Sequence, residues 1–159
     1  YTGHEIAAHG YTHPDLTQCT DDQIREELIK DIEGLNRYFS QDTKGFAYPY
    51  GTFNDSVIRQ LKKTPLVYAR TIRDTCCFDI PKEPYLLDPT CHFNHGGLME
   101  LADKFLKEGD DGFFLIWGHS YELNSEEEWD RFESLLKKIA FKDHVFYGSI
   151  MDCLNKMKR

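Results

Sequence analysis

Thr20–Phe39, TDDQIREELIKDIEGLNRYF, lies between two short apolar-rich runs, Glu5–Ala8 and Gly45–Tyr48, and this order decides the fold class. Within it Ile24, Leu28, Ile32, Leu35 and Phe39 recur at steps of four, four, three and four, the stripe of an amphipathic helix. Thr20 and Gln23 have capping-box spacing, and Asp21 and Asp22 place negative charge at the positive end of the helix dipole. The alternation continues downstream. Asn54 is a good N-cap for a helix over 55–63, 66–72 reads as a strand, 73–83 as an irregular polar connection, and Tyr85–Leu87 as a further strand. Gly96–Gly97 opens a helix through Lys107 with Leu98, Leu101, Ala102 and Phe105 inward, and Phe113–Trp117 reads as a strand buried on both faces. Ser125 and Glu128 start a helix expected to bury Trp129, Phe132, Leu136 and Ile139, followed by a strand at Val145–Tyr147 and a helix from Ser149. Strands alternating with helices imply βα units and a parallel sheet. The expectation is one α/β domain over residues 1–159, an open sheet or part of a barrel.

The totals narrow the function. With 159 residues, 40% of them apolar, a single domain with a sizeable core is expected. Lys and Arg number 19 against 27 Asp and Glu, and the net charge of −8 argues against nucleic acid or an anionic membrane as partner. The strongly apolar run Phe113–Trp117 is far too short to span a bilayer. Cys19, Cys76, Cys77, Cys91 and Cys153 are odd in number and show no CxxC spacing, which leans towards a reducing, cytoplasmic compartment. The chain starts at Tyr1 almost inside a strand, as part of a longer protein would.

Unusual polar residues follow the predicted strands. His9 and His13 come after the first, Tyr50 after the second, His92 and His95 after the Tyr85–Leu87 strand, and His119 after the Phe113–Trp117 strand. In parallel α/β folds the strand C-termini share one end of the sheet, where sites form. Two imidazoles at a strand end make part of a divalent-metal site, so His9 and His13 are the expected ligands. They are not a zinc-protease helix, because no Glu follows His9 and because Gly10 and Pro14 break the helix that HExxH needs. Asp15 is placed to orient one of the rings. His4 and His144 have no such placement.

The run HGYTHPDLT, His9–Thr17, resembles the second motif of the polysaccharide deacetylases, carbohydrate esterase family four. FAYPYGTFN at Phe46–Asn54 resembles that family's third motif, and LIWGHS at Leu115–Ser120 its closing motif, in the family's order. The resemblance implies a distorted (β/α) barrel, with the N-terminal part outside this chain, and metal-dependent removal of an N-acetyl or related acyl group from an amino sugar or polysaccharide. It implies His9 and His13 as metal ligands, His119 as general acid, the backbone N–H of Tyr50 facing the developing oxyanion, and Tyr50 and Trp117 as flat faces for a sugar ring. His92, with His95, is read from its loop at the same expected end as a substrate contact or polar wall of the cleft, or else as part of a solvated loop. Zinc is the expected ion, with cobalt or nickel equally compatible with such donors.

Two departures accompany it. The family's aspartate pair, which supplies the base and the third ligand, precedes the histidine pair and is not in this sequence. The arginine of the third motif is Ala47 here, with Arg70 or Arg73 as possible replacements. A catalytically impaired carbohydrate-binding relative and an amide hydrolase acting on a non-sugar substrate therefore stay as alternatives. Oligomeric state stays open, though exposed sheet edges of a partial barrel favour association.

Overall fold

In the computed structural model, residues 1–108 and 112–157 are described. They cluster into two compact units: residues 1–71 with 81–87 and 148–157, and residues 72–80 with 88–108 and 112–147.

In the first unit, helix α1 spans Asp21–Phe39. The Thr20 side chain accepts from the Gln23 N–H and the Gln23 side chain accepts from the Thr20 N–H, so the predicted capping box is closed. Ile24, Leu28 and Ile32 are buried on its inner face against Ala8, Phe46 and Ala69. Strand β1, Gly45–Ala47, pairs in parallel with β2, Tyr68–Arg70, in the register Gly45 to Tyr68, Phe46 to Ala69 and Ala47 to Arg70. Ala8 bridges Phe46 on one side and Leu87 bridges Arg70 on the other. The spatial order of these segments is thus their sequence order, with α1 and helix α2, Asp55–Leu61, as crossovers. Asn54 caps α2 through the Val57 N–H. This parallel frame places His9, Tyr48 and Thr71 just beyond the strand ends.

The strands are shorter than the apolar runs. Beyond β2, the Thr71 N–H turns from β1 to the Leu87 carbonyl. Tyr85–Leu87 is not a strand: Pro84, without an N–H, starts a 3-10 turn at Pro84–Leu86, and Glu83 caps it through the Tyr85 N–H.

In the second unit, β3, Cys91–His92, pairs in parallel with β4, Ile116–Trp117. The expected strand from Phe113 contracts to these two residues because the Thr90 side chain intervenes. Its hydroxyl accepts from the Leu115 N–H and donates to the Phe113 carbonyl. Nor is the run buried throughout: Phe113 is buried, whereas Phe114–Trp117 are half-buried. Helices α3, Leu98–Glu108, and α4, Glu126–Ile139, pack Leu98, Ala102 and Leu135 against Cys91. The inner stripe of α4 is Phe132, Leu135 and Ile139, leaving Trp129 52% and Leu136 46% exposed. Phe132 and Ile139 thus face inward as expected, while Leu135 takes the place of Trp129 and Leu136, a turn of the helix by roughly 50° from the expected orientation. Val145–Tyr147 forms no ladder, because the Tyr147 hydroxyl donates to the Ile139 carbonyl and accepts from the Lys142 N–H, closing the end of α4. The last helix, α5, spans Ile150–Met157, one residue after the Ser149 predicted to open it, and residues 158 and 159 lie outside the described residues.

Two glycines in the first unit respond to substitution with opposite sign. A Cβ on Gly45 would collide with the phenol of Tyr68, which is buried and donates to Glu5. Gly34 lies mid-helix on the exposed side of α1, with no heavy atom within 4 Å of the added carbon. In urea unfolding, Gly45→Ala should destabilise by about 1–3 kcal/mol and Gly34→Ala should stabilise by about 0.4–1 kcal/mol.

Candidate functional site

The residues predicted from sequence fall into two groups, one in each unit. The first is built on the loop after Ala8. The Ala8 N–H bonds to the Gly45 carbonyl and the Ala47 N–H to the Ala8 carbonyl, which aligns His9 with the end of β1. His9 Nδ1 then lies 2.7 Å from the Ala47 carbonyl oxygen. A carbonyl only accepts, so Nδ1 carries the proton of neutral His9 and Nε2 presents a lone pair. His13 Nε2 sits 3.0 Å from that atom, with the rings edge-on at 4.5 Å between centroids.

The loop returns His13 to His9 through two left-handed residues, Gly10 at φ 84° and His13 at φ 56°. Glycine takes that conformation freely; histidine in it is strained and needs support from its surroundings. Helix α1 supplies the support from two carboxylates one turn apart. Asp31 Oδ2 accepts from the His9 N–H at 2.7 Å, while Glu27 accepts from the Thr12 N–H at 2.7 Å and the Thr12 hydroxyl at 2.8 Å. Sequence reading saw in α1 a packing helix alone; the exposed face of its stripe gave no signal of this second task. Asp15, expected to orient an imidazole, instead accepts from the Thr17 N–H and from the hydroxyls of Thr17 and Thr52. It ties the histidine loop to the turn after β1.

That turn carries Tyr50, also left-handed at φ 55°, with its ring edge-on to His13 at 4.7 Å and largely exposed. Arg70, in register with Ala47, is largely buried and donates to the Thr71 carbonyl, and burial lowers the pKa of its guanidinium. Burial pushes the His9 imidazole below its ordinary value, and repulsion by His13 and Arg70 adds to this. The bond to Ala47 and the attraction of Asp31 oppose it. Neutral His9 is the form that can donate a lone pair to an ion.

The second group lies at the ends of β3 and β4. His92 stacks on Phe93 and meets Trp117 edge-on at 4.5 Å, and the Trp117 indole donates to Asp74 at 2.8 Å. His119 stacks on Tyr121 and is half-exposed. Both histidines share Glu122, which the sequence reading missed. Glu122 Oε2 is 3.1 Å from His92 Nε2, 3.1 Å from His119 Nδ1 and 2.8 Å from the His119 backbone nitrogen. Burial pushes the Glu122 carboxyl up, but these contacts outweigh it and hold it below the ordinary glutamate range. The i, i+3 spacing in a 3-10 turn, which eclipses side chains, was the available signal. His95 is committed to its loop: Nδ1 accepts from the Gly97 N–H and its carbonyl accepts from Arg131. Arg73 pairs with Asp88 at 2.9 Å.

Residues 1–69 match the sequence profile of the polysaccharide deacetylase family. The chain is 35% identical over 57 residues to a peptidoglycan-N-acetylglucosamine deacetylase of Bacillus cereus, which is 36% of this chain and 21% of that protein. The matched segments span 18–24% of the length of the curated relatives. The structure is similar to that of a Mycobacterium smegmatis protein assigned as a polysaccharide deacetylase, with a TM-score of 0.68 at 15% identity, covering 98% of this chain and 63% of the other. A carbohydrate esterase family four pseudoenzyme of Bacillus anthracis gives 0.61 at 17% identity, over 94% of this chain and 46% of its own. These likenesses show the fold, α/β of the distorted-barrel type, of which the chain spans less than two thirds. Among the described residues, no helix is long and apolar enough to cross a membrane.

The lowered pKa of His9 has a consequence for stability. Its folded value lies below the 6.5 of an unperturbed histidine, so the unfolded chain takes up more protons as the pH falls through about 6.5. The contribution of neutral His9 is complete above that pH and lost below it. In metal-free buffer the urea midpoint should fall from about pH 7 to about pH 5, and His9→Gln should flatten the fall.

Proposed function

We propose, for a chain whose residues 1–69 match the polysaccharide deacetylase family profile, that it carries part of the site of a divalent-metal-dependent hydrolase. Its substrate is an N-acetylated amino sugar or a polymer of one, the class acted on by the peptidoglycan deacetylase it resembles. The single observation that carries this reading is the 3.0 Å approach of His9 Nε2 and His13 Nε2, with His9 Nδ1 tied to the Ala47 carbonyl. A ligating histidine is oriented in the same way, by a bond from its other nitrogen to a carbonyl or carboxylate. Both atoms can face one ion once His13 moves its proton to Nδ1.

His9 and His13 would hold the ion, and zinc would suit the imidazole pair, as would cobalt and nickel. Bound there, it would supply Lewis acidity toward an acyl oxygen and a water molecule of lowered pKa. Tyr50 offers a flat ring face to a sugar, and its backbone N–H, fixed by the left-handed turn, is the donor for negative charge developing on the acyl oxygen. In the second unit, Trp117 offers a flat ring face of its own. His119 gives a proton to the leaving amine. These 159 residues do not contain the aspartate pair that serves as base and third ligand in the resembled family, and the expected outcome is metal binding by this chain without turnover of substrate.

Calorimetric titration of the chain with Zn²⁺ should give about one ion per chain. His9→Ala and His13→Ala should each weaken binding at least tenfold. Either variant binding as tightly as the parent would overturn the reading. The second reading, an impaired carbohydrate-binding relative, is favoured by Ala47 in the arginine position. Binding of a chitooligosaccharide without any metal uptake would select it.

A further inference from the structure

One carboxylate oxygen in the second unit gathers three donors, and their protons can be placed. The Asn94 N–H donates to His92 Nδ1 at 3.1 Å, so that nitrogen holds a lone pair. Neutral His92 therefore carries its proton on Nε2, 3.1 Å from Glu122 Oε2. An ionised carboxylate only accepts. The His119 N–H donates to the same oxygen at 2.8 Å, and His119 Nδ1 faces it at 3.1 Å, so Nδ1 is the protonated nitrogen of neutral His119. Its Nε2 is left with the lone pair.

We propose that Glu122 is the positioning residue of His119: it holds the ring in the Nδ1–H tautomer and makes Nε2 the atom that exchanges a proton with the reacting group. His92 is the second side-chain donor that fixes the carboxylate. The assignment rests on the reading of His119 as the proton-transfer residue. The geometry reinforces it from three sides. Glu122 ends a one-turn 3-10 segment, Ser120–Glu122, so its side chain folds back over His119, and the Glu122 N–H donates to the His119 carbonyl at 3.0 Å. The His92 side chain, 18% exposed, is clamped between Phe93 and Trp117 and cannot swing away from the carboxylate. A carboxylate with three donors stays ionised, and as an acceptor only it keeps the proton of neutral His119 on Nδ1.

The same three side chains offer ligand atoms within 4.8 Å of one another, the arrangement of a cation site. The Asn94 bond decides against that use. An ion on His92 Nε2 needs the ring proton on Nδ1, where the Asn94 N–H already points.

Nitrogen-15 NMR of the imidazoles reads the tautomers directly in the 159-residue chain, without metal or activity, at about pH 8 where an unperturbed ring is neutral. The expected result is Nδ1–H for His119 and Nε2–H for His92. Glu122→Ala should switch His119 to the Nε2–H form that imidazole favours in water and leave His92 unchanged, because Asn94 still holds it. Glu122→Gln, which keeps an acceptor oxygen, should retain the parent tautomer. Nε2–H at His119 in the parent chain overturns the proposal, and this spectrum decides even if a variant fails to fold. An unswitched His119 in folded Glu122→Ala also overturns it. So does a Zn²⁺-induced shift of both rings that survives His9→Ala/His13→Ala. Loss of metal binding at His9 and His13 would leave the tautomers untouched, so the two readings fail separately.

Discussion

The hydrogen bond from His9 Nδ1 to the Ala47 carbonyl joins the sheet to the chemistry. It exists because β1 and the segment at Ala8 are in parallel register, with the bonds of Ala8 and Ala47 fixing both backbones on either side of it. A backbone carbonyl at a strand end is among the least mobile acceptors available, and it selects one imidazole tautomer without a side-chain partner. The lone pair of His9 is thereby aimed by the sheet itself. Slippage of β1 by one residue would turn every side chain to the opposite face and take this carbonyl away. Gly45 fits the same register, since a Cβ there would collide with the Tyr68 phenol.

The loop beyond His9 is less well supported by its own residues. His13 and Tyr50 occupy left-handed backbone that a side chain disfavours. Both are held from outside, His13 by a loop anchored on Glu27 and Asp31 and Tyr50 by a turn tied through Thr52 to Asp15. The anchors on α1 are exposed or half-buried carboxylates bonded to backbone N–H groups, stronger than neutral pairs. The two units solve one problem in different ways. In the first, a carbonyl and helix carboxylates orient a histidine pair; in the second, a carboxylate three residues away orients a single histidine.

How much of this the sequence carried follows from the range of each interaction. The α1 stripe, its capping box and the Asn54 cap involve residues three to four apart, and all are present as read. The histidine pair was legible for the same reason, since Gly10 and Pro14 exclude a helix locally. What the sequence concealed is non-local. Strand length at Phe113–Trp117 depends on Thr90, 23 to 27 residues upstream, whose hydroxyl displaces ladder bonds. The Val145–Tyr147 run is apolar enough for a strand, but the Tyr147 hydroxyl reaches α4 first. In α4, Phe132 and Ile139 face the core as read, but Trp129 and Leu136 lie on the edge of the same apolar stripe and Leu135 on its other edge, and periodicity does not say which edge turns inward. Glu122 was local and still missed, because a 3-10 turn leaves no hydrophobic pattern.

Ala47 shows why motif matching by position is a weak test of a site. The third-motif arginine of the resembled family falls on Ala47, and read linearly the cation is gone. In the sheet, β2 puts Arg70 in register with Ala47. Its charge reaches His9 strongly enough to help hold that imidazole below its ordinary value. Burial lowers the arginine pKa, but a guanidinium starts so high that it stays charged. A cation beside the histidine pair is therefore present, supplied by the neighbouring strand. Arg73, the other sequence candidate, is paired with Asp88. Parallel register makes such exchange inexpensive: adjacent strands deliver paired residues to the same end of the sheet, about 5 Å apart. A long side chain can cross that distance. The chemistry at a strand end is thus specified by a pair of register positions, and a sequence motif records only one of them.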